Sequence, residues 1–447
     1  MSKNNYRVSV GFFIVYIMFK INKKFQVFLL LILSVFISRL VYAETLMDAF
    51  AKAYIHNAKL NSERAVVRIL GDDVIIARSG LLPQIEGIGN YGRNKPMIGS
   101  YSTSGSIGIK LNQRLFDGFI TQNMFSSAQV RLQAQREYLR NTEQNIFLDT
   151  VTAYTNVYQA RRIADLRREN LAALEEQVRS NQAKLDVGEG ARVDLSQAQA
   201  ARSVAVSELS FARANVKTAE AAYRQVIGSD PEKLVRPLVA KGLPINLDAA
   251  YKVSVVMHPA ILYAKYLVDA SSYNVKAKEG ALLPKVDFSA TTSYNRIYSG
   301  HGEDGVSKSV GLSVSIPVFE GGRTSAQIRQ SREQLGHARL QLDLARSNIR
   351  QALTTAWFQL EGARASVVAY RESVRAAEIA LKGRIQENRV GQATTLDVLN
   401  SRTQLINAQI ALAMAECNAV IASYSVQSAV GRLTASYLGL KTIKYTR

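Results

Sequence analysis

Proline is scarce in this chain: eight occur in 447 residues, confined to positions 83 to 96, 231 to 259, 284 and 317. Two very long stretches are therefore free of the residue that most often ends a helix. Cysteine is nearly absent. The single Cys417 excludes an internal disulfide framework and a multi-cysteine metal cluster, and it reads as a small buried apolar residue. The four histidines, His56, His258, His301 and His337, are dispersed without ligand spacing, and His56 and His258 read as repeat partners at an offset of 202. No nucleophile and base pattern is present, so neither an enzymatic site nor a cofactor or metal is expected. Acidic residues are outnumbered 36 to 56, a formal charge of +20. The Arg and Lys are scattered along helical faces, which speaks against nucleic acid.

Residues 1–43 read as an export signal: Lys20, Lys23 and Lys24 precede an apolar run from Phe25 to Ile37 and a small-residue cleavage pattern, Val41-Tyr42-Ala43. A start at Met18 would give a more ordinary leader, with residues 1–17 superfluous. Removing the leader takes six basic residues and no acidic ones, leaving +14. No later stretch reads as apolar enough for a transmembrane helix, so a membrane span is expected to be a β-barrel. The missing cysteine at the cleavage site speaks against a lipid anchor.

What the chain has is an internal repeat. Leu82-Pro83 matches Leu283-Pro284 at an offset of 201. Leu115-Phe116-Asp117-Gly118 matches Val318-Phe319-Glu320-Gly321 at 203, as do Thr152-Ala153-Tyr154 and Thr355-Ala356-Trp357, Val187-Gly188 and Val390-Gly391, and Asp194 and Asp397. Two copies of one unit are expected, residues 44–228 and 248–433, each in the order helix, strand, strand, long helix, turn, long helix. A linker over 229–247 with three prolines joins them, and 434–447 forms a tail.

In the first unit, residues 119–187 lack Gly and Pro, and 69 residues of helix would extend ~100 Å at ~1.5 Å per residue. Long helical hairpins are expected over about 119–228 and 324–433. Leu335, Ala338, Leu342, Ala345, Ile349, Ala352 and Ala356 step by three and four, a narrow heptad seam; Leu399, Thr403, Ile406, Ile410, Ala413, Cys417, Val420 and Tyr424 continue the rhythm on the return. Period-two segments predict strands over about 84–94, 104–115, 286–296 and 308–317. Each has about the ~9 to 11 residues that cross an outer membrane as a tilted strand. Four strands cannot close a barrel, and every strand edge in a membrane must be paired, so oligomerisation is expected. Gly87, Gly89 and Gly92 spell a nucleotide-loop pattern, but inside a strand pair, where no helix N-terminus meets a phosphate.

The leader, the duplicated strand-strand-hairpin units, Leu-Pro before each first strand, Phe-Asp/Glu-Gly after each second strand and Val-Gly at each hairpin turn together resemble the TolC family of outer-membrane efflux and secretion channels, over essentially the whole mature chain. The resemblance implies a homotrimer whose twelve strands form an outer-membrane β-barrel, in contact with membrane lipid and continuous with a periplasmic α-helical barrel. It implies a passive exit duct for type I protein secretion, multidrug efflux or both. Its partners would be a periplasmic membrane-fusion adaptor and an inner-membrane ABC or proton-driven transporter.

The resemblance also implies that Val187, Gly188, Val390 and Gly391 dock the adaptor, and that Asp194 and Asp397 ring a periplasmic gate. The plain alternatives are a glycine that merely turns the chain and a carboxylate that favours a helix N-terminus. Two departures stand out: Asn400 where family members place a second Asp, and Ala393 where they carry an Arg. A non-pore periplasmic coiled-coil scaffold, or an adaptor, is the competing reading of long heptad helices.

Overall fold

The computed structural model describes residues 43–95, 97–300 and 303–440. The expected leader lies outside the described residues apart from Ala43, as does the tail beyond residue 440. Glu44 forms a parallel bridge with Leu234, within a small unit of residues 43–44 and 232–235; the body comprises residues 45–231 and 236–440.

The body contains one structural plan twice. The first copy comprises α1 (Leu46–His56), α2 (Ala58–Ser79), β1 (Gln84–Asn94), β2 (Ser102–Phe116), α3 (Ile120–Asp186) and α4 (Arg192–Ile227). The second comprises α5 (Leu247–Met257), α6 (Pro259–Gly280), β3 (Lys285–Ser299), β4 (Gly305–Ser315), α7 (Arg323–Arg389) and α8 (Thr395–Ala429). Both α3 and α7 run for 67 residues, about 100 Å each.

The sequence reading placed one helix ahead of each strand pair, and the structure has two. The break falls at Asn57 and His258, both extended, with ψ of 121° and 123°. Each residue ends one helix and caps the next: Asn57 Oδ1 accepts from the Leu60 amide at 3.2 Å and His258 Nδ1 from the Ala260 amide at 3.2 Å. Pro259 at the start of α6 fixes the second break, because the residue before proline is pushed out of the helical region. This corrects the histidine pairing too: His258 is the structural counterpart of Asn57, one position on from His56.

Every strand pair is antiparallel, in the order β1-β2-β3-β4. β4 lies earlier than expected. Its register runs from Lys285↔Ser315 to Asn295↔Gly305, so Ile316 and Pro317 lie past the last partner, and Pro317 has no amide to offer. Among the described residues, no strand pairs with the outer edge of β1 or β4.

The acidic residue after each second strand launches the long helix. Asp117 Oδ2 accepts from the Thr121 amide at 2.9 Å and from its hydroxyl at 2.5 Å, and Glu320 accepts from Thr324 Oγ1 in the same place of the second copy. Between them, α6 closes on the start of α3 so tightly that a Cβ placed on Gly280 would lie 2.1 Å from the Gly118 carbonyl oxygen.

The core sits where the short helices lean on the long ones. Phe50 of α1 meets Phe147 of α3 at 5.3 Å and Tyr424 of α8 at 6.0 Å between ring centroids, with Tyr54 beside them. Ala250 of α5 packs with Leu353, Ala356 and Leu360 of α7 and with Val426 of α8, Trp357 lying against this cluster. The expected seam on α7 is half-buried from Leu335 to Ile349, exposed at Ala352 and buried at Ala356. Cys417 is buried on the α8 seam, and desolvation pushes its thiol up to about 11.

One expectation about the membrane is overturned: α8 is long and apolar enough, by length and composition, to cross one. Packing within the chain accounts for part of that composition, 33% of the apolar window being buried. Alanine and β-branched residues at Ala413, Ala415, Ala419, Val420, Ala422 and Val426 are buried, close to neighbouring helices.

Candidate gate and docking site at the hairpin turns

Both hairpin turns are built by the same terminal motif. In the first, the Gly188 amide donates to the Leu185 carbonyl at 3.1 Å and the Glu189 amide to the Lys184 carbonyl at 2.9 Å. In the second, Gly391 donates to Asn388 at 3.2 Å and Gln392 to Glu387 at 2.9 Å. This is the Schellman pairing, which requires a left-handed residue after the helix, and Gly188 and Gly391 supply it at φ of 79° and 77°. Val187 and Val390 precede them, each 70% exposed. A Cβ on either glycine would meet nothing within 4 Å. Each turn thus presents a bare apolar side chain beside open backbone, on a rigid bend.

The returning helices begin differently. At α8, Thr394 and Asp397 form a reciprocal capping box: the Asp397 amide donates to Thr394 Oγ1 at 3.2 Å, while Asp397 Oδ2 accepts from the Thr394 amide at 2.9 Å and its hydroxyl at 2.7 Å. The Thr394 hydroxyl, then the Thr394 amide, and further off Arg384, hold the Asp397 carboxyl below the usual carboxylate range. At α4 the capping position is Ala191, which has no side chain to offer. Asp194 is held instead through its backbone, its carbonyl accepting from buried Asn181 Nδ2 at 3.0 Å. In the second turn Asn388 Nδ2 reaches the carbonyl of buried Ala393 at 2.8 Å. Asn400 is exposed. Within the chain no hydrogen bond among the described residues joins Asp194, Asp397 and Asn400.

Thr394, Asn181 and Asn388 are absent from the sequence reading of this region. Thr394 had a local signal, a Thr followed three residues on by an acid at a helix start. The asparagines had none, because each acts across a turn.

The capping box sets a pH expectation. Because the folded Asp397 carboxyl titrates below its unfolded value, its contribution is complete above about pH 4 and is lost as pH falls through the folded value. The protection factors of the amides at residues 395–398, exchange rates taken relative to the intrinsic rate at each pH, should fall on going from pH 7 to pH 3. The same acidification should lower protection less at residues 192–195. An equal loss of protection at the two helix starts would contradict the assignment.

The sequence profile described as outer membrane efflux protein matches residues 50–229 and 252–432, one copy of the plan each. The chain belongs to this family. Outer membrane efflux protein BepC of Brucella suis biovar 1 (strain 1330) is 52% identical over 404 residues, 90% of this chain and 89% of the relative. Outer membrane protein TolC of Escherichia coli (strain K12) is 28% identical over 420 residues, 89% and 84% of the two chains. The fold recurs in solved structures: CusC, at a TM-score of 0.78 and 16% identity, covers 87% of this chain and 92% of its own. VceC from Vibrio cholerae, at 0.75 and 17%, covers 86% and 96%. This outer membrane efflux protein is therefore a TolC-family chain of the outer membrane whose helices extend into the periplasm. The family assignment and the full-length duplication set aside the scaffold and adaptor alternatives.

Proposed function

We propose that this efflux family member is one of three identical subunits of a passive exit duct for type I protein secretion, multidrug efflux or both. A periplasmic adaptor and an inner-membrane ABC or proton-driven transporter supply selection and energy. The observation that carries the reading is a four-stranded sheet with two open outer edges, joined to paired 67-residue helices. Three chains would pair those edges into a closed twelve-stranded barrel in the lipid, which removes every orphan strand. In this reading Val187-Gly188 and Val390-Gly391 are the adaptor contacts, and Asp194 and Asp397, six carboxylates in the trimer, ring the gate with Asn400 one turn beyond. The capping box gives Asp397 a structural role as well, and the two roles are compatible because Oδ1 takes no part in the box.

The test is planar-bilayer conductance of the purified protein, alongside the mass of the assembly and an Asp397→Asn variant. Asparagine keeps an acceptor oxygen for the cap and removes the charge. A trimer with small conductance, blocked by multivalent cations in the parent and less so in the variant, is the expected result. Unchanged conductance and block in Asp397→Asn would remove the gate assignment, and a non-conducting assembly would remove the duct.

A further inference from the structure

The helix α7 carries a stripe of cations that neither the gate nor the docking turns use. Arg332, Arg339 and Arg346 are spaced by sevens. Four residues on comes Arg350, followed on the same face by Arg364 and Arg371. Four further begins the last run of sevens, Arg375, Lys382 and Arg389. On a helix advancing about 100° per residue, these nine positions share an arc of about 60° that holds no Asp or Glu, over about 85 Å of helix. All nine side chains are exposed. The opposite face is uncharged in its middle, through Gln341, Asn348, Gln359 and Ser366, and carries only Arg323 and Arg384 towards the two ends. The first copy keeps part of this row: α3 has Arg136, Arg161, Arg168 and Arg179 at the positions matching Arg339, Arg364, Arg371 and Lys382, but Gln129, Glu143, Phe147, Ala172 and Asp186 at the other five, so the unbroken stripe belongs to α7.

Two observations fix the side of α7 on which the stripe lies. It is interrupted only near Leu353 and Trp357, where α5 packs over the α7 and α8 seam, and Arg350 beside that gap lies 5.1 Å from the centroid of the Tyr251 ring of α5. Farther along, Arg371 shares Glu416 with Arg236 of the linker, at 3.6 Å and 2.8 Å. The stripe therefore lies on the side that α5 and the linker cover. A duct must keep its lumen clear, so on the reading proposed above this side is the outer wall, in the periplasm.

The chemistry of the stripe selects its partner. Protein interfaces are anchored by apolar and aromatic side chains and are depleted in charge at their centre. Here the exposed apolar contribution in the arc is Val368, and cations recur about every turn or two. A regular row of cations without anchors suits a flexible polyanion held by long-range attraction and counter-ion release. An outer-membrane protein whose helices extend about 100 Å inward must traverse the cell wall, whose peptide stems carry free carboxylates. We infer that the basic stripe of α7 is the surface on which the duct contacts the carboxylates of the peptidoglycan wall.

Arg332, Arg346, Arg371 and Arg375 pair with Glu279, Asp343, Glu416 and Glu372, whereas Arg339, Arg350, Arg364, Lys382 and Arg389 have no ion-pair partner among the described residues; of these, Arg339, Arg364 and Lys382 lie away from both the docking turns and the Tyr251 ring. The test is co-sedimentation of the detergent-purified protein with isolated wall sacculi, against the triple variant R339Q/R364Q/K382Q. Wild type should pellet with sacculi in 0.15 M salt, be released by 1 M salt, and fail to pellet with sacculi whose carboxyls have been amidated. The variant should lose roughly tenfold in binding while keeping its conductance and ion selectivity. Equal pelleting of variant and parent, retention in 1 M salt, or retention on amidated sacculi would overturn the inference. A variant with altered ion selectivity and unaltered pelleting would place the stripe in the lumen, overturning the wall contact while leaving the duct intact.

Discussion

Aspartate in place of Val187 and Val390 together is expected to abolish export by a strain that depends on this protein, with trimers still recovered from the outer membrane in normal amounts. Both valines enter the turn's hydrogen bonds only through their backbone amides, to the Ala183 and Gln386 carbonyls, and their side chains are exposed, each residue 70%, so the Schellman pairing through Gly188 and Gly391 is untouched. What changes is the tip itself, from apolar to charged, at the point proposed to enter the adaptor. A central apolar contact of this kind is worth about 2 kcal/mol or more when lost, or roughly thirty-fold in affinity. A charge left without a partner in that contact adds to the loss. Drug susceptibility and secretion assays would read the effect, with heat-resistant trimers on gels as the control. Intact export from normal trimers would leave the glycines as simple turn residues.

The second large effect is expected at Gly280. Replacing it by alanine puts a methyl group 2.1 Å from the Gly118 carbonyl oxygen and 3.1 Å from the Ile120 side chain. The nearest obstacle is backbone, which cannot rotate aside, so α6 must lift from the start of α3. Overpacking of this sort costs about 1–3 kcal/mol where side chains can adjust, and more where they cannot. Because the junction joins the sheet to both copies of the plan, Gly280→Ala should reduce the yield of assembled protein severely. Gly336→Ala on the α7 surface is the matched comparison: its new methyl meets nothing within 4 Å, and helix propensity alone should make it neutral or stabilising by up to about 1 kcal/mol. Similar yields for the two variants would mean that the close approach is not a constraint.

Much of this architecture was legible before any coordinates because its signals are local. Long helices announce themselves by the absence of Gly and Pro over 119–187, strands by the alternation around Val310, Leu312 and Val314, and the duplication by motifs held at one offset. What escaped notice depends on details smaller than a motif or contacts farther than one. The break at Asn57 involves no proline, so nothing in its surroundings distinguishes a helix interior from a cap. The composition of α8 is membrane-like because an alanine seam and a lipid-facing surface are nearly alike in composition; the packing of α7 and α3 on it tells them apart. At the turns, Gly188 and Gly391 were visible because left-handed backbone asks for glycine. The asparagines that tie each turn together have no such signature.

The two copies have drifted apart at one informative place. A ring of three chains that each hold two near-equal units is, in its backbone, close to six-fold symmetric, and a ring built from six identical units would have to treat all six tips alike. Carrying both units on one chain lifts that restriction. One return helix is capped from within its own first turn by Thr394 and Asp397, while its twin starts at Ala191 without a side-chain cap and is tied instead from the facing helix by Asn181. In the trimer proposed above, carrying both units on one chain would let the two kinds of tip differ, three opened by the Thr394 and Asp397 box and three by the Asn181 bond, alternating around the rim.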